Sequence, residues 1–129
     1  MTQVGLIGAV LYAKDLPRLV EFYASVAGLP IQTSDNEYAV LGCESCQLVI
    51  VRIPRRIAGS IAIEAPPARR EETPIKLVFS VADIVASRSN AAERGGVVNP
   101  ADREWEFAGA TVCDGHDPEG NVFQLRRLG

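Results

Sequence analysis

The residues best equipped for chemistry are three cysteines and a single histidine. Cys43-x-x-Cys46 and Cys113-x-x-His116 together have the composition and spacing of a structural zinc set, three thiolates and one imidazole. His116 stands among Asp114, Asp117 and Glu119. Those carboxylates could raise its pKa, pair with it in acid–base catalysis, or form a weak surface ion site. The plainer expectation packs Cys113 in a strand and leaves His116 solvated on an exposed turn. Cys43 and Cys46 fall in a hairpin rather than at a helix N-terminus, which argues against a thioredoxin-like couple. No Ser-His-acid triad and no cysteine nucleophile with a partner can be assembled. Trp105 and Phe107 alternate; one could wall a ligand, and core or subunit-interface packing is the expected use.

These groups sit on elements that the chain writes twice. Asp15 follows an apolar run and opens a helical stretch, and Asp83 does the same 68 residues later. Leu11 matches Phe79, Ala13 matches Val81, Leu16 matches Ile84, and Gly28 and Gly96 both fall 13 residues beyond their aspartate. Two copies of one supersecondary unit enclose a cleft between them. Unit one, residues 1–54, reads as a strand from Val4 to Ala13, apolar enough to be covered on both faces. A helix then runs from Asp15 to Gly28, with its apolar residues at helical spacing, followed by strands near Glu37–Leu41 and Gln47–Ile53. Residues 55–73 form a polar connector, with Ile61–Ile63 as a short extra strand and Arg69-Arg70-Glu71-Glu72 as a solvated loop. Unit two, residues 74–129, reads as a strand from Pro74 to Val81 and a helix from Ile84 to about Arg94. Strands follow near Val97–Asn99, Glu106–Cys113 and Val122–Arg127. Arg88 and Asn90 interrupt the second helix's apolar stripe. Each unit is βαβββ, and the fold class is α+β.

A chain of 129 residues with 47% hydrophobic residues suits one domain with one core. Its net charge of −3 offers no footprint for nucleic acid. The first apolar segment is too short to span a bilayer and lacks the basic flank of a signal peptide. An odd number of cysteines argues against a disulfide framework and for a reducing compartment. The expected setting is the cytoplasm, with no membrane partner.

Two motifs carry a family resemblance across essentially the whole chain. They are Tyr12-Ala-Lys-Asp-Leu-Pro-Arg-Leu-Val-Glu-Phe-Tyr23 with Gly28-Leu29-Pro30, and Asp117-Pro-Glu-Gly-Asn-Val-Phe-Gln-Leu125. In the second, Pro118 and Gly120 suit a tight turn and Asn121 can bond the backbone at the start of the last strand. The chain resembles the glyoxalase, bleomycin-resistance and extradiol-dioxygenase superfamily, also called vicinal oxygen chelate. The resemblance implies a glyoxalase-like fold of paired βαβββ units and a homodimer. In the metal enzymes of that superfamily four side chains, usually His and Glu, hold a divalent ion. Their places correspond here to Gly8, Lys76, Gln124 and, within a residue, Val49. Glycine and valine bring no donor, lysine is cationic, and a glutamine oxygen is a weak neutral ligand. The metal centre is therefore expected to be absent, and no cofactor is expected.

Strand alternation suggests what lines the cleft instead. Lys76, Val78 and Ser80 share one face, and Ile75, Leu77, Phe79 and Val81 should lie under the helix. By the repeat, Gly8, Val10 and Tyr12 face the cleft, as do Val122, Gln124 and Arg126 on the last strand. The candidate ligand-binding residues are thus Tyr12, Lys76, Ser80, Gln124 and Arg126, with an anionic ligand group near Lys76 or Arg126. The alternative for the two cations is to snorkel to solvent at the rim. The expected function is metal-independent binding of a small organic molecule, as in the bleomycin-resistance branch. The alternative is a lyase, isomerase or dioxygenase of the same superfamily, using a displaced metal site or an acid–base pair around His116. A plainer possibility is an accessory subunit with an unused cleft.

Overall fold

The computed structural model describes residues 4–128, so the outermost ends of both units lie outside it. The architecture is mixed α+β with two sheets. In the first, β1 (Gly8–Ala13), β2 (Ile31–Ser34), β3 (Tyr38–Cys43) and β4 (Cys46–Arg52) take the order β1-β4-β3-β2. In the second, β5 (Leu77–Ser80), β6 (Val97–Val98), β8 (Ala110–His116) and β9 (Val122–Leu128) take the order β5-β9-β8-β6, and β7 (Trp105–Phe107) also pairs with β8. In each sheet the first strand runs parallel to the last strand of its unit.

Helices α1 (Leu16–Val26) and α3 (Ile84–Glu93) cover one face of the sheets, and a single turn, α2 (Arg55–Ala58), opens the connector. The two capping aspartates act alike: Asp15 accepts from Arg18 N and Asp83 from Ala86 N, satisfying amides that no helical carbonyl reaches. Beneath the helices lies one core. It holds Leu16, Leu19, Phe22, Tyr23 and Val26 of α1, Leu41, Leu48 and Ile50 of sheet one, and Phe123 and Leu125 of sheet two. Phe22, Tyr23, Phe79 and Phe123 stack edge-on or tilted, with centroids 5.2–6.3 Å apart, a geometry that aromatic quadrupoles favour.

The motif at Asp117–Asn121 is the joint between the units. Asp117 is fully buried. Its Oδ1 accepts from the amides of Glu119 and Asn121, and its Oδ2 accepts from Asn121 Nδ2 and, at 2.7 Å, from the Tyr23 hydroxyl of unit one. Glu119 reaches back to accept from Lys14 N and Asp15 N. A buried carboxylate must be satisfied in this way. Burial, then the charge of Asp117, holds the Tyr23 phenol well above its ordinary range.

Several expectations need correction. The first strand begins at Gly8, and Val4, Leu6 and Ile7 are exposed; the apolar run is not covered on both faces, since Val10 and Tyr12 are both more than half exposed. Strand β2 carries no alternating signal, being exposed along its length at the sheet edge. The stretch Glu106–Cys113 is a hairpin, broken where Ala108 and Gly109 both take positive φ (49° and 81°). Ile61–Ile63 forms no strand, and α2 lies where none was expected. Ile75 is 72% exposed rather than under the helix, since β5 starts two residues later. The arginine-glutamate run is not merely solvated. Arg70 N donates to Gly120 O, and Arg69 donates to Asn99 Oδ1. The connector thus straps the turn so tightly that a Cβ on Gly120 would meet Ala68 O at 2.1 Å.

Candidate functional site

The faces of the two sheets turned away from the helices are open, and register shows how they correspond. Val10 pairs with Val49 in sheet one as Val78 pairs with Gln124 in sheet two. The 68-residue offset therefore holds between the first strands, and by register Val49 stands in unit one where Gln124 stands in unit two. On sheet one the open face reads Val10, Val49, Val40 and Thr33 in one row and Tyr12, Val51 and Tyr38 in the next.

Sheet two presents a polar row instead. Lys76 Nζ donates to Asp114 Oδ2 at 2.8 Å, Gln124 Nε2 donates to Asp114 Oδ1 at 3.3 Å, and Arg126 Nε donates to Gln124 Oε1 at 2.9 Å. Arg126 also lies over the ring of Phe107, 4.9 Å from its centroid, a cation–π contact. Ser80 is the register partner of Arg126, and Arg126 in turn pairs with Val112, the partner of Trp105. Strand pairing thus brings Ser80, Gln124 and Arg126 onto one face with Asp114, and the ion pair to Asp114 adds Lys76, the residue before β5. Tyr12 stands apart on the other sheet, 62% exposed. Lys76 is not a free cation, since Asp114 neutralises it; among the described residues Arg126 is held only by a neutral amide and a ring. Sequence reasoning set Asp114 beside His116 and missed its place in this row; the signal that could have found it is the β8–β9 register opposite Gln124. Trp105 and Phe107 are exposed and do not pack in the core.

The single chain does not enclose this face. Where the sheets meet, a cavity of ≈ 280 Å³ is lined by Val10, Leu11, Ile75, Leu77 and Val122 among others, and it includes none of the five candidate residues. A wider groove of ≈ 650 Å³ between α1 and β2 shares no residue with the polar row.

The residues at the superfamily's metal positions do not fit a metal. A Cβ on Gly8 would meet Gln47 O at 2.0 Å, so no ligating side chain can be seated there without moving β4. Val49 offers hydrocarbon, Lys76 an ammonium already paired, and Gln124 an amide engaged at both ends. Nor do the cysteines and histidine gather. Cys43 and Cys46 are exposed at the β3–β4 turn, whereas Cys113 is buried on the helix side, where its Sγ donates to Asn99 O. Burial pushes that thiol up. His116 lies three residues along the same strand, on the opposite face. It is buried rather than solvated, with Nδ1 3.0 Å from Asp117 O. Among the described residues no three His, Cys, Asp or Glu side chains form a metal-ligand set. The carboxylates near His116 in sequence are occupied: Asp114 by Lys76 and Gln124, Asp117 by Tyr23 and the turn, Glu119 by the Lys14 and Asp15 amides.

Paired βαβββ sheets with an open face define a glyoxalase-type architecture, and comparison with known proteins agrees. The family model of the glyoxalase-like domain matches residues 8–126, and the chain belongs to that family. Among solved structures, a glyoxalase/bleomycin resistance protein from Albidiferax ferrireducens T118 superposes with a TM-score of 0.68 at 14% identity, covering 96% of this chain and 98% of that one. The fosfomycin resistance protein FosX from Listeria monocytogenes gives 0.66 at 14% identity, covering 99% and 96%. The bleomycin-binding protein from Streptomyces verticillus, solved with copper(II)-bleomycin, gives 0.59 at 20% identity, covering 100% and 99%. These likenesses show the fold. No curated protein matches the chain. No helix among the described residues is long and apolar enough to cross a membrane.

Proposed function

We propose that this protein binds a small organic molecule without a metal, on the open faces of its two sheets, with Lys76, Ser80, Gln124 and Arg126 on one and Tyr12 on the other. The carrying observation is the Lys76–Asp114–Gln124–Arg126 row. It fills two of the family's metal positions with groups that are already hydrogen-bonded to one another. Arg126 is the anion-recognising element, because among the described residues its guanidinium is the cation of the row with no carboxylate partner of its own, and a planar fork suits a carboxylate or phosphate. Phe107, Trp105, Val10 and Tyr12 supply apolar and aromatic surface for the rest of the ligand. A binding role is supported by the Streptomyces verticillus neighbour, which binds bleomycin. The working form is a cytoplasmic homodimer whose second copy covers the open face, which accounts for the exposure of Val4, Leu6, Ile7 and Val10 in a single chain.

The test is elemental analysis of protein purified without chelator or metal-affinity resin, followed by a thermal-shift screen of anionic aromatic compounds with and without EDTA. The expected result is no stoichiometric transition metal and a stabilising ligand whose effect survives EDTA. A stoichiometric metal, or a ligand effect abolished by EDTA, overturns the proposal. Light scattering after size exclusion should give twice the mass of the chain; a monomer at micromolar concentration refutes the covered face.

A further inference from the structure

The hairpin tip between β3 and β4 holds the two exposed cysteines, remote in sequence from the polar row and unused by it. Cys43 and Cys46 flank the two-residue turn Glu44-Ser45 and are direct register partners. Direct partners on antiparallel strands have Cα atoms about 4.5–5.5 Å apart, whichever way the hydrogen bonds fall. Their side chains leave the same face of the sheet. A disulfide spans Cα separations of about 4.4–6.8 Å with Cβ atoms about 3.5–4.5 Å apart, against about 4.5–5.5 Å for opposite cross-strand Cβ atoms, so the pair closes by a small inward shift of the two residues with no change of strand partner. The third cysteine cannot compete, because Cys113 is buried in the core of the other sheet.

From this juxtaposition we infer that Cys43 and Cys46 form a reversible dithiol/disulfide couple, open to low-molecular-weight disulfides from solvent. The turn supplies what a helix N-terminus supplies in other dithiol sites. Ser45 Oγ lies 3.1 Å from Cys43 Sγ. That hydroxyl, with the backbone amides of Ser45 and Cys46, holds the Cys43 thiol below its ordinary value, against the opposing charge of Glu44. A thiolate is the attacking species in exchange, which makes Cys43 the entry point. Cys43 loses its proton and attacks one sulfur of R–S–S–R; a Cys43–S–S–R bond forms and one RS⁻ leaves. Cys46 then loses its proton and attacks the Cys43 sulfur; the Cys43–Cys46 bond forms and the second RS⁻ leaves. The protein is oxidised by two electrons, the small disulfide is reduced to two thiols, and the two protons end on those thiols. In a reducing compartment the pair rests as the dithiol, and it closes when the compartment turns oxidising.

Full-length protein equilibrated with oxidised and reduced glutathione, quenched by alkylation and mapped by mass spectrometry, tests this. The expected oxidised species has lost two hydrogens, carries no glutathione, and exposes only Cys113 to alkylation after unfolding; dithiothreitol restores all three thiols. Cys46→Ser should stop at a glutathione adduct on Cys43, and Ser45→Ala should slow formation of the disulfide severalfold. Wild-type protein that accumulates glutathione adducts, links two chains through these cysteines, or fails to react overturns the couple.

Discussion

The open faces of the two sheets have the same strand order and register but opposite chemistry. Where unit one sets Val10, Val49 and Val40 side by side, unit two sets Val78, Gln124 and Asp114. The helices differ in the same sense. Helix α1 buries Leu16, Leu19, Phe22, Tyr23 and Val26, whereas α3 buries the smaller set Ile84, Ser87 and Ala91 and adds polar contacts. Ser87 Oγ donates to Val26 O and Asn90 to Ser25 O, while Arg88 binds Asn99 O and Glu104. Duplicated topology thus leaves each copy free to specialise: unit one supplies hydrophobic mass, and unit two supplies directed hydrogen bonds. A shared core and the buried carboxylate of Asp117 keep the two in one body.

The sharpest way to break that picture is at the joint. Asp117→Ala would strand the Tyr23 hydroxyl, two backbone amides and the Asn121 amide. We expect a loss of roughly 3 kcal/mol or more, read from the urea midpoint; a loss under 1 kcal/mol would mean, on the same scale, that the units do not depend on the joint. Next comes Gly8→Ala, whose Cβ collides with Gln47 O. It should cost about 2 kcal/mol, and an unperturbed melting curve would show that unit one can accept a side chain at its metal position after all.

Tyr23→Phe removes one bond to Asp117 and should cost about 1–2 kcal/mol. It also has a pH signature. Burial holds the folded-state phenol above its ordinary 10.0, so folding favours the neutral form. That contribution is whole below pH 10 and is lost as the pH rises toward the folded-state value, because the unfolded chain releases its proton first. Denaturation measured across the alkaline range should show a fall that the phenylalanine variant shares only in part.

For the faces themselves, Arg126→Ala should weaken binding of a screened anionic ligand about tenfold, or roughly 1.4 kcal/mol, by isothermal titration calorimetry, with the fold intact. Lys76→Met breaks only a partly exposed pair, so stability should move by less than about 1 kcal/mol. A larger drop would make the polar row a structural feature and would sharpen the contrast with unit one in a different direction.

Much of this was legible beforehand. The aspartate caps, the paired units and the facing of Lys76, Ser80, Gln124 and Arg126 follow from local rules of capping and alternation, which act over a few residues. What escaped was set by partners distant in the chain. His116 looks solvated beside its turn, yet it is buried, and Asp114 looks like its neighbour yet serves Lys76 38 residues away. Arg70 reads as a charged loop residue, but its backbone is tied to Gly120.

By itself, then, the sequence determined the duplicated α+β units and where the two long helices start, because residue identity and short-range spacing suffice for these. Only the tertiary structure decided that Lys76 is neutralised, that the Asp117–Asn121 motif joins the units rather than lining a site, and that Cys43 and Cys46 share a face while Cys113 and His116 do not. Those outcomes depend on strand register and on which buried group must find a partner, and neither is encoded within any one segment.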